Sequence, residues 1–233
     1  MNWGVYYIYF TPKFNILPAM NLLARPTGPG RPKDLEKRAA ILEAAKDLFT
    51  ERGYAGVSMD AIAQAAGVSK LTVYNHFEDK ETLFLAAVKA KCEAQMPHEI
   101  FEVPADGPVG DQLTAIARAF VALMSSPEAV ALQRTLITEG RADPALPALF
   151  YEAGPRRTLD EFAAFLQARV RAGQLDIPDV PRAAGHFFGL LKGELQMRLL
   201  FGCGAPPDCA ECDAHIDSVI DLFQRAYGPG RAA

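Results

Sequence analysis

From about residue 34 onward, apolar side chains recur every three or four residues and are interrupted by glycine and proline. That period marks amphipathic helices. A first helix is predicted over about Asp34 to Arg52, with Leu35, Ala39, Leu42, Ala45 and Phe49 as its stripe and Ile41 and Leu48 widening it. Gly53 stops this helix, and Tyr54 closes the corner. Ser58 is placed to cap a second helix, with Asp60 in its first turn, where a carboxylate favours exposed amides. Its apolar side is predicted as Ala61, Ile62, Ala65 and Ala66, narrow enough for close packing. Gly67 supplies a left-handed turn, Val68 plugs it, and Ser69 caps a third helix too short to stand alone.

The third helix has Leu71 or Val73 with Phe77 as its apolar side, which leaves Lys70, Thr72, Tyr74, Asn75 and His76 uncovered. A fourth helix starts after Asp79 and carries Leu83, Phe84, Ala87, Val88 and Lys91. Prolines and glycines between Met96 and Gly110 punctuate the chain, so a domain boundary is expected between 85 and 110. Helical stripes then return. They comprise Val109, Leu113, Ile116, Phe120, Leu123 and Met124, then Val130, Leu132, Leu136 and Ile137 after a Ser126–Pro127 start. Leu149 and Phe150 suggest a short helix ending near Gly154, and Leu159, Phe162, Ala163, Leu166 and Val170 continue to Gly173. Leu175 to Pro181 reads as a turn, before helices over Ala183 to Phe201 and about Ala210 to Tyr227. No strand pattern emerges, so the fold class is all-α.

A two-turn helix braced by a longer one, with its polar side uncovered, is the arrangement that lays a helix in a DNA major groove. The formal charge of -4 argues at first against a nucleic-acid partner. Its distribution weakens that objection. Residues 1–91 hold 12 Lys plus Arg against 9 acidic residues, while residues 92–233 hold 12 against 19. A mildly basic head on an acidic body suits selective DNA contact better than a nonspecific coat. No apolar run reaches the length that spans a bilayer, so no membrane partner is expected. Four irregularly spaced cysteines do not make a secreted disulfide framework, which points to a reducing cytoplasm.

The phrases LFTERGYAGVSM (48–59) and IAQAAGVSKLTVYNHFEDKETLF (62–84) resemble the DNA-binding domain of the TetR family of bacterial transcriptional regulators. Leu71 departs from the small or polar residue often found at its position. LQRTLITEG (132–140), PALPALFYEAGPRRT (144–158) and DIPDVPRAAGHFFGLLKGELQ (176–196) resemble the C-terminal domain of the AefR-like branch. The resemblance implies a three-helix helix-turn-helix head over 31–91 and a helical ligand-binding and dimerisation domain over 92–228. Residues 1–30 are left as an extension and basic arm. The first 19 of them read either as an upstream start assignment or as an appendage.

Carried over by position, Ser69, Lys70, Thr72, Tyr74, Asn75 and His76 lie at or near the DNA side, with Lys80 in the next helix. Lys70 and Thr72 are the candidates for base edges. By resemblance, Tyr74 and His76 hold phosphates, a contact that fixes register without carrying sequence. Tyr74 as an interhelical brace and His76 as a satisfied surface histidine are the plainer readings. Lys80 would add its charge to free helix amides on another phosphate. Arg25, Arg31 and Lys33 form either a solvated linker or an arm that reaches phosphates or the minor groove.

One head reads only a few base pairs, so a homodimer on a pseudo-palindromic operator in double-stranded DNA is expected. Gly185, Gly189 and Gly193 repeat every four residues and permit close helix approach, either at the dimer seam or within the chain. The resemblance implies a four-helix dimer interface. Phe120, Met124, Phe162, Phe165, His186 and Phe188 are candidates to line an effector pocket, or are simply core. A ligand there acts as an inducer only if it prefers the conformation with wrongly spaced heads. Cys203, Cys209, Cys212 and His215 have residue types that suit a zinc site or thiol switch, but their glycine- and proline-rich turn favours ordinary thiols, with no metal or cofactor. Glu139, Asp143 and His186 are too scattered to nominate a reaction, so no enzyme is expected. The reading is a ligand-released repressor, with an activator or dual regulator as the alternative and a helical enzyme or interaction protein as other classes.

Overall fold

The computed structural model describes residues 31–102, 107–140 and 145–230, apart from the side chains of residues 31–33 and 139. Among the described residues ten α-helices run in order: α1 Arg31–Arg52, α2 Met59–Ala65, α3 Lys70–His76, α4 Lys80–Gln95, α5 Val109–Ser125, α6 Pro127–Glu139, α7 Ala145–Tyr151, α8 Arg157–Arg171, α9 Val180–Phe201 and α10 Cys209–Tyr227. A 3-10 turn at His98–Ile100 and a π turn at Glu152–Arg156 complete the described elements, none of which is a strand. The first 19 residues and Arg25 lie outside the described residues.

The head packs α1, α2, α3 and the first half of α4 around Ile41, Ala45, Phe49, Ile62, Val73, Phe77, Leu83 and Phe84. The α1 stripe is rotated from the expected one. Burial starts at Ile41 and continues through Ala45, Leu48 and Phe49, whereas Leu35 is 61% exposed and Ala39 is exposed. In α2 the inward side is Met59, Ile62 and Ala63, and Ala65 faces out. Met59 opens the helix already buried, and spacings of three and four residues then select Ile62 and Ala63. Phe49, Tyr54 and Phe84 form an aromatic triad with ring centroids 5.1 to 5.9 Å apart. Each such pair adds about 0.5–1.5 kcal/mol beyond area burial. The turn between α2 and α3 has Gly67 at φ 66°, and the Val68 N–H donates to Ala63 O at 3.0 Å.

In the body, α5, α8, α9 and α10 enclose a phenylalanine cluster. Phe162 stacks with Phe165 at a centroid distance of 5.7 Å and meets Phe187 and Phe188 in tilted contacts at 4.6 and 5.0 Å, and Phe187 meets Phe223 at 5.1 Å. Segments expected only as punctuation help to fill this core. Met96 and Phe101 are buried after α4, and Leu175 and Ile177 are buried between α8 and α9. The α6 helix is shallow. Val130 and Leu136 are buried but Ile137 is 65% exposed, and Arg134 donates to the terminal carbonyls of Leu199 and Leu200 on α9.

Gly154 does not end a helix. The chain passes from α7 through the π turn straight into α8. Pro155 has no N–H to return to the preceding turn, and the π turn absorbs that missing bond without a break. Gly154 lies against α4, where a Cβ would sit 3.2 Å from Cys92 Sγ and 3.5 Å from Val88 Cγ1. Close approach, rather than termination, is its role. The helix expected over Ala183 to Phe201 begins earlier, at Val180, and kinks at Gly193 (φ 35°, ψ -137°).

The Asp79 side chain caps α4 by accepting the Thr82 N–H at 2.7 Å. Asp79→Ala is expected to lower the urea midpoint by the equivalent of about 1 kcal/mol. The hydrogen bonds from Thr82 hold the Asp79 carboxyl below its ordinary value. Its contribution is therefore present above pH ~4 and is lost as pH falls through the depressed value. The gap between parent and variant should close on acidification, and a gap constant down to pH ~2 would exclude the cap as its source.

Candidate functional site

The two turns of α3 divide cleanly. Val73 and Phe77 are sealed against the head core, and the opposite side carries exposed Lys70, Leu71, Tyr74 and Asn75. The open alternative for the apolar side is settled in favour of Val73, because Leu71 is 70% exposed. Ser69 Oγ accepts the Thr72 N–H at 3.1 Å and lies 2.8 Å from Thr72 Oγ1, so one hydroxyl pair orders the start of the helix. Lys70 Nζ lies 2.9 and 3.0 Å from the two carboxylate oxygens of Asp60 on α2. This hydrogen bond pushes the Lys70 ammonium pKa above its ordinary value. The lysine is thus held at the helix tip in charged form, facing solvent.

His76 behaves differently. Its side chain is only 10% exposed, and Nε2 lies 3.2 Å from Asp34 Oδ1 on α1. The imidazole approaches α1 instead of standing open beside Asn75. The cause is helical geometry: position 76 lies between buried Val73 and Phe77 and exposed Asn75. Lys80, first in α4, has its ammonium 4.2 Å from the centre of the Tyr54 ring. Arg31 and Lys33 sit in the first turn of α1, but their side chains lie outside the described ones. The structure therefore gathers Ser69, Lys70, Thr72, Tyr74 and Asn75 at the start and outer side of α3 and leaves His76 mostly covered.

A cavity of about 660 Å³ lies where head and body meet. Phe120 and Met124 of α5, Phe188 of α9 and Leu132 of α6 line its body side. Phe49 of α1 with Phe84, Ala87, Val88 and Cys92 of α4 lines the other. Phe162 and Phe165 do not reach it, being closed inside the phenylalanine cluster. His186 points to the outer surface, with Nδ1 3.3 Å from Tyr227 Oη. Phe188 faces the cavity and His186, two positions away, cannot share its side of the helix. Gly185 and Gly189 border the cavity, and a Cβ at either would meet nothing within 4 Å. Within the chain they widen a void. Gly193 is the kink, beside the His215 ring.

Lys192 and the hydrogen-bonded pair Gln133 and Gln196, 2.6 Å apart, also line the cavity, and sequence reasoning missed all three. A signal existed: 185, 188, 189, 192 and 196 trace one side of α9, and Lys192 is the charge on it. The wall from α1 and α4 left no signal, because those residues also read as head core. Among the described residues no group of three or more His, Cys, Asp or Glu side chains is placed to hold a metal ion. No single described helix is long and apolar enough to cross a membrane.

Residues 41–87 match the family described as bacterial regulatory proteins, tetR family, and residues 111–229 match the AefR-like transcriptional repressor C-terminal domain. A crystal structure of a TetR-family transcriptional regulator from Mesorhizobium loti is 31% identical. The match covers 84% of this chain and 98% of that one, with a TM-score of 0.73. The flavonoid-responsive regulator FrrA is 32% identical over the same shares, with a TM-score of 0.66. The transcriptional activator FasR of Mycolicibacterium smegmatis is 44% identical over 70 residues, which span 28% of this chain and 32% of that protein.

His76→Ala should destabilise the DNA-free protein by about 1 kcal/mol through loss of its partner on α1. Asn75→Ala, on the open side, should stay within about 0.5 kcal/mol. Urea unfolding of both variants checks the division, and equal losses would contradict it.

Proposed function

The chain belongs to the TetR family of bacterial regulatory proteins, with an AefR-like C-terminal domain, and from that premise we propose that it is a dimeric repressor released by a small apolar or amphipathic effector. The observation that carries this reading is the exposed side of α3, rigidly mounted on Val73 and Phe77. Lys70 and Thr72 lie in its first turn, the part that enters a major groove most deeply. Lys70 would exchange the Asp60 carboxylate for guanine acceptors. Exposed Leu71 would meet a thymine methyl, the apolar feature of that groove. Tyr74, Asn75 and Lys80 would hold the backbone, with Arg31 and Lys33 extending the grip.

Two heads are needed for a specific site. The outer sides of α9 and α10 carry exposed Leu190, Met197, Phe201 and Leu222, apolar surface suited to a second copy. With the glycines at the cavity wall, these side chains are the dimer assignment. The cavity would take the effector. The similarity to FrrA, a flavonoid-responsive regulator, supports a small amphipathic ligand of this kind. An effector that prefers one position of α4 changes the spacing of the two heads, and operator affinity follows. A DNA partner places this activity in the cytoplasm. The second reading, an activator, draws on the FasR match across the head. Run-off transcription from a bound promoter separates the two, with fewer transcripts for a repressor and more for an activator.

Footprinting upstream of the protein's own gene should reveal a protected inverted repeat, and sequence-blind protection would sink the reading. Lys70→Ala should cost about 1–3 kcal/mol of operator affinity and relax one base position, while Lys80→Ala should weaken all sequences evenly and reduce the salt slope by about 1. Replacing contacted thymines by uracil should weaken the parent protein but leave Leu71→Ala indifferent. Equal sensitivity of both proteins to the missing methyl would remove Leu71 from base reading.

A further inference from the structure

The cavity holds one charge deep in its wall. Lys192 projects from the side of α9 that also presents Gly185, Phe188 and Gly189, and it is half-buried. It makes no ion pair and no hydrogen bond with a described side chain. Its one close polar relation is to the ring of Phe120, whose centre lies 6.0 Å from Nζ. The other two lysines of the cavity, Lys46 and Lys91, are matched by carboxylates, with Glu43 at 2.7 Å and Glu128 at 3.8 Å. Glu43, Asp47 and Glu51 also border the cavity, but from exposed positions on α1, so they mark its mouth.

An ammonium group placed among aromatic and aliphatic side chains without a counter-charge is costly unless something pairs with it. Burial pushes the Lys192 pKa below its ordinary value, with no neighbouring carboxylate to raise it. We propose that the effector is a small aromatic or amphipathic acid whose anionic group binds Lys192 while its apolar skeleton fills the space between Phe120, Met124, Phe188 and Leu132. The Gln133–Gln196 pair, one helical turn along α9, offers amide groups to a second polar substituent. Charge selects the class: the lysine attracts carboxylates, phenolates and sulfonates and repels amines. The acid would link α9 to the α1 and α4 wall across the cavity. This proposal rests on the cavity being the effector site, and its test separates the two.

The probes are 1-anilinonaphthalene-8-sulfonate and N-phenyl-1-naphthylamine, which share an arylamine skeleton and differ by the anionic group. Their fluorescence is titrated against the full chain and against Lys192→Met, Lys192→Gln, Lys192→Arg and Lys91→Met. Removing the charge at Lys192 should weaken the sulfonate on the order of tenfold, as for a lost bond to a charged group, and leave the neutral probe unchanged. Lys192→Arg and Lys91→Met should retain sulfonate binding. Sulfonate affinity that is unchanged in Lys192→Met, or that falls with Lys91 instead, overturns the proposal while leaving the cavity reading intact. Failure of both probes on the parent chain overturns the cavity reading itself. A readout independent of any variant is acetylation of Lys192 in the parent, followed by mass spectrometry. The sulfonate should protect Lys192 more than the neutral probe does, and equal protection counts against the assignment.

Discussion

The placement of Val73 and Phe77 beneath α3 is the constraint on which the functional reading depends. A helix of seven residues has no stability of its own, so its orientation is whatever its buried side imposes. Both side chains are almost wholly removed from water, and each contributes on the order of 1.5–3 kcal/mol by burial. The Ser69 cap and the His76–Asp34 contact add smaller increments at the two ends. With one side pinned in this way, Lys70, Leu71, Tyr74 and Asn75 have no alternative but to face outward. Selective reading of base edges needs that rigidity, because a loosely held helix would lose its contact energy to the entropy of ordering.

The α4 helix then joins two structures that sequence alone would keep apart. Its first half completes the head through Leu83, Phe84, Ala87 and Val88. Five of its residues, Phe84, Ala87, Val88, Lys91 and Cys92, also line the cavity on the head side. Gly154 lets the π turn approach Cys92 closely, and Arg157 bonds Glu93 at 2.6 Å and Glu161 at 2.8 Å, tying α4 to α8. A ligand in the cavity would therefore touch, without intermediaries, the helix that completes the head. Coupling free energies of about 1–3 kcal/mol suffice for a regulatory switch. Such a shift is within reach of a single buried contact, whereas one exposed ion pair such as Arg157–Glu93 contributes less.

The positions of polar groups in the head follow from local rules. Ser58, Ser69 and Asp79 each accept the amide expected of a cap, and Gly53 and Gly67 adopt the left-handed conformation their turns require. These are interactions among residues three or four apart, so the order of residues is enough to foresee them. The helices of the body were legible for the same reason, down to the Ser126–Pro127 start of α6.

Which side of each helix faces what was another matter. Leu35 and Ile137 keep the apolar spacing yet lie exposed, because none of the described elements covers them. Gly154 and Gly189 are the same residue type in helices, but one is pressed against a neighbouring helix and the other opens on a void. His186 and Phe188 are two residues apart on α9, and only Phe188 meets the cavity. By itself the sequence determined an all-α chain, the helix-turn-helix with its caps, and the family to which both belong. Only the tertiary structure decided the depth of His76, the cavity wall and the isolation of Lys192, because those properties are set by what packs opposite a residue, and the opposing side chains come from helices far away along the chain.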